Sequence, residues 1–217
     1  MSEQSDHMTG PHQGQPTLTA GVPLEQARAA MIMIHGRGAA AENILELVDQ
    51  FKKADFAYLA PQAANNAWYP NSFLEPIASN EPGLSSALAV ITALLAQLSE
   101  AGIPPERTML LGFSQGACLM LEFVARHARR YGGVVGLSGG LIGPEGTPRD
   151  YPGSLADTPV FLGCSDVDPH IPKERVEYTA DVLQRLNGHV TTRLYRGMGH
   201  TVNLDEIRSI QAMIASL

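Results

Sequence analysis

Cysteine is nearly absent from this chain, which has two thiols, Cys118 and Cys164, in 217 residues. Two are too few for a disulfide framework, and their separation matches no metal-ligand spacing. Each sits in an apolar run, where a thiol behaves as a small buried hydrophobe. An excess of positive charge is also missing. Lys and Arg total 15 against 22 Asp and Glu, a formal charge of −7, which argues against nucleic acid or an anionic membrane as partner. No N-terminal stretch joins a charged start to an apolar core, and no run approaches the length of a membrane span. A cytoplasmic protein is the expectation. Aromatics are scarce at 6%, whereas glycine (21) and proline (15) are plentiful. That mix suits a compact enzyme with many tight turns rather than a disordered chain.

Residues 1–16 are polar and rich in Gln, Ser, Gly and Pro, with almost nothing to bury. They read as a disordered tail in which His7 and His12 are solvated. Residues 17–217 read as one α/β domain without internal repeat. Met31–Ile34 is a continuous apolar run of strand length, as expected of a strand buried on both faces. Ile44, Leu47, Val48 and Phe51 then fall on one helical face. The same rhythm continues with strands at Phe56–Leu59, Thr108–Leu111, Val134–Leu137, Val160–Cys164 and Val190–Tyr195. Helical stripes separate them: Leu84 to Leu98, Leu119 to Val124, Val176 to Leu186 and Leu204 to Leu217. Alternation of this kind predicts a mostly parallel sheet flanked by helices on both faces. The one long connection, Gln62 to Gly83, exceeds what a plain loop needs, and such loops tend to carry function.

Gly112-Phe113-Ser114-Gln115-Gly116 sits between the Thr108–Leu111 strand and the helix of Leu119 to Val124. A Gly-x-Ser-x-Gly run alone is weak. In a strand–turn–helix setting it lifts a serine above the sheet and aims helix N–H groups at developing negative charge. Ser138, in Leu137-Ser138-Gly139-Gly140, lacks a following helical pattern and is the weaker nucleophile candidate. Ser114 needs a base, and an anion to orient that base. His127 lies among arginines at a helix end, His170 follows Asp168-Pro169 in a loop, and His189 starts a strand. His200 comes directly after the last strand and before the last helix, where a base must sit to reach the strand ends. The acid should follow the Val160–Cys164 strand. Asp166 and Asp168 both qualify, and spacing does not choose between them; the other aspartate would cap a turn. The two oxyanion donors expected are the backbone N–H groups of Gln115 and of Arg37, in His35-Gly36-Arg37-Gly38. Arg37 is read as acting through its main chain, with its side chain solvated rather than bound to an anionic substrate.

Together these segments resemble the phospholipase/carboxylesterase family of α/β-hydrolases, which includes acyl-protein thioesterases and small bacterial carboxylesterases. The resemblance runs from about Ala30 to the C-terminus. It rests on Ile34-His35-Gly36-Arg37-Gly38, Ala60-Pro61-Gln62, Trp68-Tyr69-Pro70, the Ser114 motif, Leu137-Ser138-Gly139-Gly140, Asp168-Pro169-His170-Ile171-Pro172 and Gly197-Met198-Gly199-His200. It implies an α/β-hydrolase core without a cap domain, Asp168 rather than Asp166 as the acid, and no metal or cofactor. It also leaves room for a homodimer. The chain departs from the thioesterase branch after Trp68, where Trp-Tyr-Pro-Asn-Ser-Phe-Leu-Glu-Pro replaces a Trp-Phe-Asp-like segment. The departure favours the carboxylesterase branch and a small, short-chain ester substrate, with Trp68, Phe73 and Leu74 lining the pocket. An acyl-protein thioesterase or lysophospholipase is the sibling alternative. A catalytically inactive ligand-binding α/β-hydrolase is the alternative from another class, and competent residues at every catalytic position argue against it.

Overall fold

The computed structural model describes residues 10–51 and 53–217. Among them, seven strands form one sheet: β1 (Thr17–Gly21), β2 (Ala29–Ile34), β3 (Phe56–Pro61), β4 (Thr108–Phe113), β5 (Gly133–Leu137), β6 (Pro159–Ser165) and β7 (His189–Tyr195). Their order across the sheet is β1-β3-β2-β4-β5-β6-β7. β1 pairs antiparallel with β3 at one edge, and every other pairing is parallel. The helices are α1 (Ala41–Leu45), α2 (Val48–Phe51), α3 (Gly83–Glu100), α4 (Gln115–Arg126), α5 (Lys173–Arg185) and α6 (Leu204–Ser216).

Both faces of the sheet are covered, which explains the continuous apolar strands. Along β2, Ala30, Ile32 and Ile34 enter the core beneath α3, α4 and α5. The alternating Ala29, Met31 and Met33 enter the core beneath α1, α2 and α6. Every β2 residue is buried, and each fully buried Ile or Met contributes about 1.5–3 kcal/mol. The stripe of Ile44, Leu47, Val48 and Phe51 is broken by a turn, with Ile44 in α1, Leu47 in the turn and Val48 and Phe51 in α2, yet all four pack into the same core. α3 corrects one expectation. Its 18 residues have a mean hydropathy of 1.4, long and apolar enough to cross a bilayer. Here Leu84, Leu88, Ile91, Leu95 and Leu98 bury that apolar surface against the sheet.

Residues 10–16, expected to belong to a disordered tail, are instead held to the rest of the protein. His7 lies outside the described residues, but residues 10–16 pack on the body of the protein, and His12 is only 3% exposed. The His12 backbone N–H donates to Ser86 Oγ at 3.0 Å. Its ring Nδ1 accepts from the Ala64 N–H at 3.1 Å, so its Nε2–H donates to the Trp68 carbonyl at 2.8 Å. One imidazole thereby satisfies two backbone groups of a long loop, an ordering force that composition does not reveal.

From β2 the chain runs outward to β3, crosses back through α3 to β4, and then proceeds through β5, β6 and β7. The direction reverses between β2 and β4. In open α/β sheets, ligands bind at the carboxyl ends of the strands beside such a reversal. The loop after β2 carries Gly36 and Arg37, and the turn after β4 carries Ser114.

Candidate active site

Ser114 sits between the end of β4 and the first residue of α4, with φ 55° and ψ −120°. A non-glycine residue in this region is strained and persists only where its surroundings fix it. The Ser114 N–H donates to the Leu137 carbonyl at 2.9 Å, and its own carbonyl accepts from the Cys118 N–H at 3.0 Å. Glycine is obligatory on either side. A Cβ on Gly112 would collide with the Gly116 backbone, and one on Gly116 with the carbonyls of Ile34 and His35. The missing side chains let β2, β4 and α4 meet at one point, which brings the β2 loop against the serine.

His200 Nε2 lies 2.8 Å from Ser114 Oγ, and His200 Nδ1 lies 2.8 Å from Asp168 Oδ2. Asp168 Oδ1 accepts from the N–H groups of His170 at 2.8 Å and Ile171 at 3.0 Å. Burial of this carboxyl raises its pKa, but the hydrogen bonds from His200 and the two backbone N–H groups outweigh that and hold it below its ordinary value. An ionised carboxylate only accepts, so His200 Nδ1 carries the ring proton and Nε2 accepts from the Ser114 hydroxyl. Asp166 is engaged elsewhere. Its Oδ1 accepts from the Gly197 N–H at 2.8 Å, fixing the turn that leads to His200. The two aspartates that spacing left open thus divide between turn and histidine. Ser138 is 1% exposed and no helix follows it, so a substrate has no access to it.

The Gln115 N–H is the first of α4, and neither it nor the Arg37 N–H has a backbone acceptor among the described residues. Gly36 brings the loop after β2 against the serine turn, since a Cβ there would stand 3.3 Å from Ser114 Cβ. The Gln115 side chain is occupied elsewhere, accepting from the Trp68 N–H at 2.9 Å and donating to the Tyr69 carbonyl at 2.8 Å. The Arg37 side chain is not simply solvated. Its Nη1 donates to the Pro70 carbonyl at 2.9 Å and its Nη2 to the Asn71 carbonyl at 2.6 Å. Its Cζ lies 5.8 Å from the centre of the Tyr69 ring.

Of the three pocket residues expected, only Phe73 lines the cavity that contains Ser114 and His200, a space of about 370 Å³. Trp68 is fully buried beneath the site and acts as a wedge. Its Nε1–H donates to the His35 carbonyl at 2.9 Å, which steadies the loop carrying Gly36 and Arg37. An indole with a polar N–H is accommodated there because a backbone carbonyl receives it. Leu74 points instead into a neighbouring cleft of about 550 Å³, with Pro172, Arg175 and Tyr178. The remaining walls are Tyr69, Ser72, Cys118, His170 and Ile171, none of which the sequence marks individually as a pocket residue. Four of them carried a signal, Tyr69 and Ser72 inside the segment that begins at Trp68 and His170 and Ile171 inside the Asp168-Pro169-His170-Ile171-Pro172 segment, whereas Cys118 carried none. The His170 ring meets that of His200 edge-on at 4.9 Å. His35 is a further residue whose role the sequence does not mark. It is buried, its Nε2 accepts from the Ala63 N–H at 3.1 Å, and its Nδ1–H therefore donates to the Gly36 carbonyl at 2.8 Å. Burial lowers the pKa of both His12 and His35, in keeping with neutral rings that accept from backbone N–H groups.

The largely parallel sheet and the strained serine turn at its carboxyl edge define an α/β-hydrolase. The chain belongs to the phospholipase/carboxylesterase family, whose profile matches residues 21–217. A crystal structure of a phospholipase/carboxylesterase from Dyadobacter fermentans superposes with a TM-score of 0.89 at 42% identity, over 93% of this chain and 96% of that one. Acyl-protein thioesterase 1 of Saccharomyces cerevisiae is 27% identical over 220 residues, covering 91% of this chain and 96% of the relative. Acyl-protein thioesterase 1 of Kluyveromyces lactis is 34% identical over 134 residues, covering 59% of this chain and 58% of the relative.

Proposed function

We propose that the protein is a serine carboxylesterase that hydrolyses small, short-chain esters through an acyl-enzyme, with Ser114, His200 and Asp168 as its catalytic residues. The observation that carries this reading is the unbroken chain of 2.8 Å hydrogen bonds from Ser114 through His200 to Asp168. Ser114 Oγ attacks the ester carbonyl while His200 Nε2 takes its proton. Asp168 stabilises the resulting imidazolium and keeps the ring in the required tautomer. The tetrahedral oxyanion accepts from the N–H groups of Arg37 and Gln115, neither of which has a backbone acceptor among the described residues. His200 then returns the proton to the departing alcohol, leaving the acyl group on Ser114. Water, activated by the same imidazole, attacks the acyl carbonyl, and the acid and free Ser114 hydroxyl are released. Two unpaired, buried cysteines accord with a cytoplasmic setting.

A second reading, acyl-protein thioesterase, draws on the relatives that bear that name. Against it stands the modest cavity beside Ser114, about 370 Å³, which offers limited apolar area to a long chain. A series of 4-nitrophenyl esters from C2 to C16, paired with acyl-CoA thioesters of the same lengths, separates the two. The carboxylesterase reading expects kcat/KM to peak at short acyl chains and to favour the oxygen esters. Efficiency rising steadily to C16 would support lysophospholipase activity, and a preference for thioesters would support the thioesterase reading.

A further inference from the structure

The cavity beside Ser114 has an unusual charge balance for this protein. The whole chain carries −7, yet Arg37 is the one formally charged residue among those that line the cavity, with no Asp or Glu beside it. The nearest carboxylate in the chemistry, Asp168, has a side chain with no exposed surface and is occupied by His200 and two backbone N–H groups. Arg37 forms no ion pair among the described residues. Its two carbonyl acceptors, Pro70 and Asn71, hold the guanidinium in place without neutralising it. Two of its five N–H donors are taken, and the other three are available. Ser72, also on the wall, accepts at Oγ from the Leu74 N–H at 3.2 Å, and its own proton has no acceptor among the described residues.

From this arrangement we propose that the site selects esters that carry a carboxylate, with the Arg37 guanidinium as its anchor and His170 and Ser72 beside it. The inference rests on the esterase reading and names the substrate class of that same site. A fixed, unneutralised guanidinium meets a carboxylate through charge-assisted hydrogen bonds at little entropic cost. A positive charge that no carboxylate offsets within a cleft also attracts anions. Because Arg37 and Ser114 line the same cavity, a small ester whose carboxylate end is held by the guanidinium can present its carbonyl to Oγ.

Two matched pairs of substrates test this, each pair differing only in charge. Monomethyl glutarate and methyl 4-carbamoylbutanoate place the group on the acyl side; 4-acetoxybutanoate and its amide place it on the alcohol side. With the wild-type protein at low ionic strength, followed by titration of released acid or by chromatography, the carboxylate of at least one pair should show about a tenfold higher kcat/KM. The advantage should shrink as salt is added, and Arg37→Gln should bring the ratio toward one. If both amides match or exceed their carboxylates while 4-nitrophenyl acetate is still hydrolysed, the inference is overturned and the esterase reading stands. If Arg37→Gln folds and keeps the full ratio, Arg37 is not the anchor and the inference is likewise overturned. Should that variant not fold, the wild-type ratios and their salt dependence decide. If no ester is hydrolysed at all, 4-nitrophenyl acetate included, the esterase reading fails and takes this inference with it.

Discussion

At the scale of the residue, two aspartates two positions apart have different duties. Asp168 faces His200, and Asp166 holds the Gly197 N–H. Asp168→Asn keeps the shape, removes the anion that stabilises imidazolium and permits the wrong tautomer, so kcat should fall by roughly 10⁴-fold. Asp166→Asn retains an oxygen that can still accept from Gly197, and its kcat should stay within about tenfold of wild type. Both variants are compared at saturating substrate, with circular dichroism as the check on folding. If Asp166→Asn is the crippled variant, the acid has been misassigned. Spacing placed candidate acids after β6 without choosing between them, and only the family resemblance pointed to Asp168. That choice depends on how the turn after Ser165 directs each side chain, and spacing does not encode it. Trp68 illustrates a second limit. An aromatic in a Gly- and Pro-rich loop reads as a pocket wall, and only the three-dimensional path shows its N–H meeting the His35 carbonyl.

At the scale of the element, periodicity performed well wherever burial enforces it. The interior parallel strands β2 to β5, and nearly all of β6, are buried and appear as largely apolar runs, whereas the edge strand β7 is mostly exposed, and α3 shows its stripe at helical spacing. β1 escaped notice because it is an edge strand of alternating partial exposure, Thr17-Leu18-Thr19-Ala20-Gly21, with few apolar residues to mark it. The start of α6 holds a feature that no periodicity predicts. Asn203 caps the helix, and Glu206 completes the capping box by accepting from the Asn203 N–H at 2.8 Å through Oε2. Its other oxygen is buried against Gly163 without a partner. Burial pushes this carboxyl up to about 7 from 4.5. Between those values the folded chain holds a proton that the unfolded chain releases. The associated stability is therefore complete below about 4.5 and is lost as pH rises through about 7. His12 and His35, with lowered pKa values, act in the opposite direction over part of that range. Comparison with Glu206→Gln isolates the carboxyl. The melting temperature of the variant minus that of wild type should become more positive from pH 5 to pH 8. A flat or falling difference would mean that Glu206 ionises normally in the folded state.

At the scale of the whole molecule, the site depends on contacts between segments far apart in the chain. Residues 10–16 cross to the Ala64–Trp68 loop through His12, and Trp68 in turn supports the loop after β2. His12→Ala leaves the buried Trp68 carbonyl and the half-buried Ala64 N–H without their partner, a loss of about 1–3 kcal/mol. In a domain of this size each kcal/mol lowers the melting temperature by about 2–4 °C. Scanning calorimetry should show a drop of several degrees, accompanied by reduced kcat because the wedge under the Arg37 loop has loosened. An unchanged melting temperature would return residues 10–16 to the status of a loose tail. Their polar composition hid this role because hydrogen bonds through His12, Gln13 and Pro16, rather than apolar surface, secure them.

The central claim is that this sheet assembles one nucleophile, Ser114, at its carboxyl edge. Intact-protein mass spectrometry after treatment with a fluorophosphonate tests it most directly. A single adduct is expected on the wild-type protein, mapped by peptide analysis to Ser114, and none on a folded Ser114→Ala variant. An adduct that persists in that variant, or maps to Ser138, would contradict the claim.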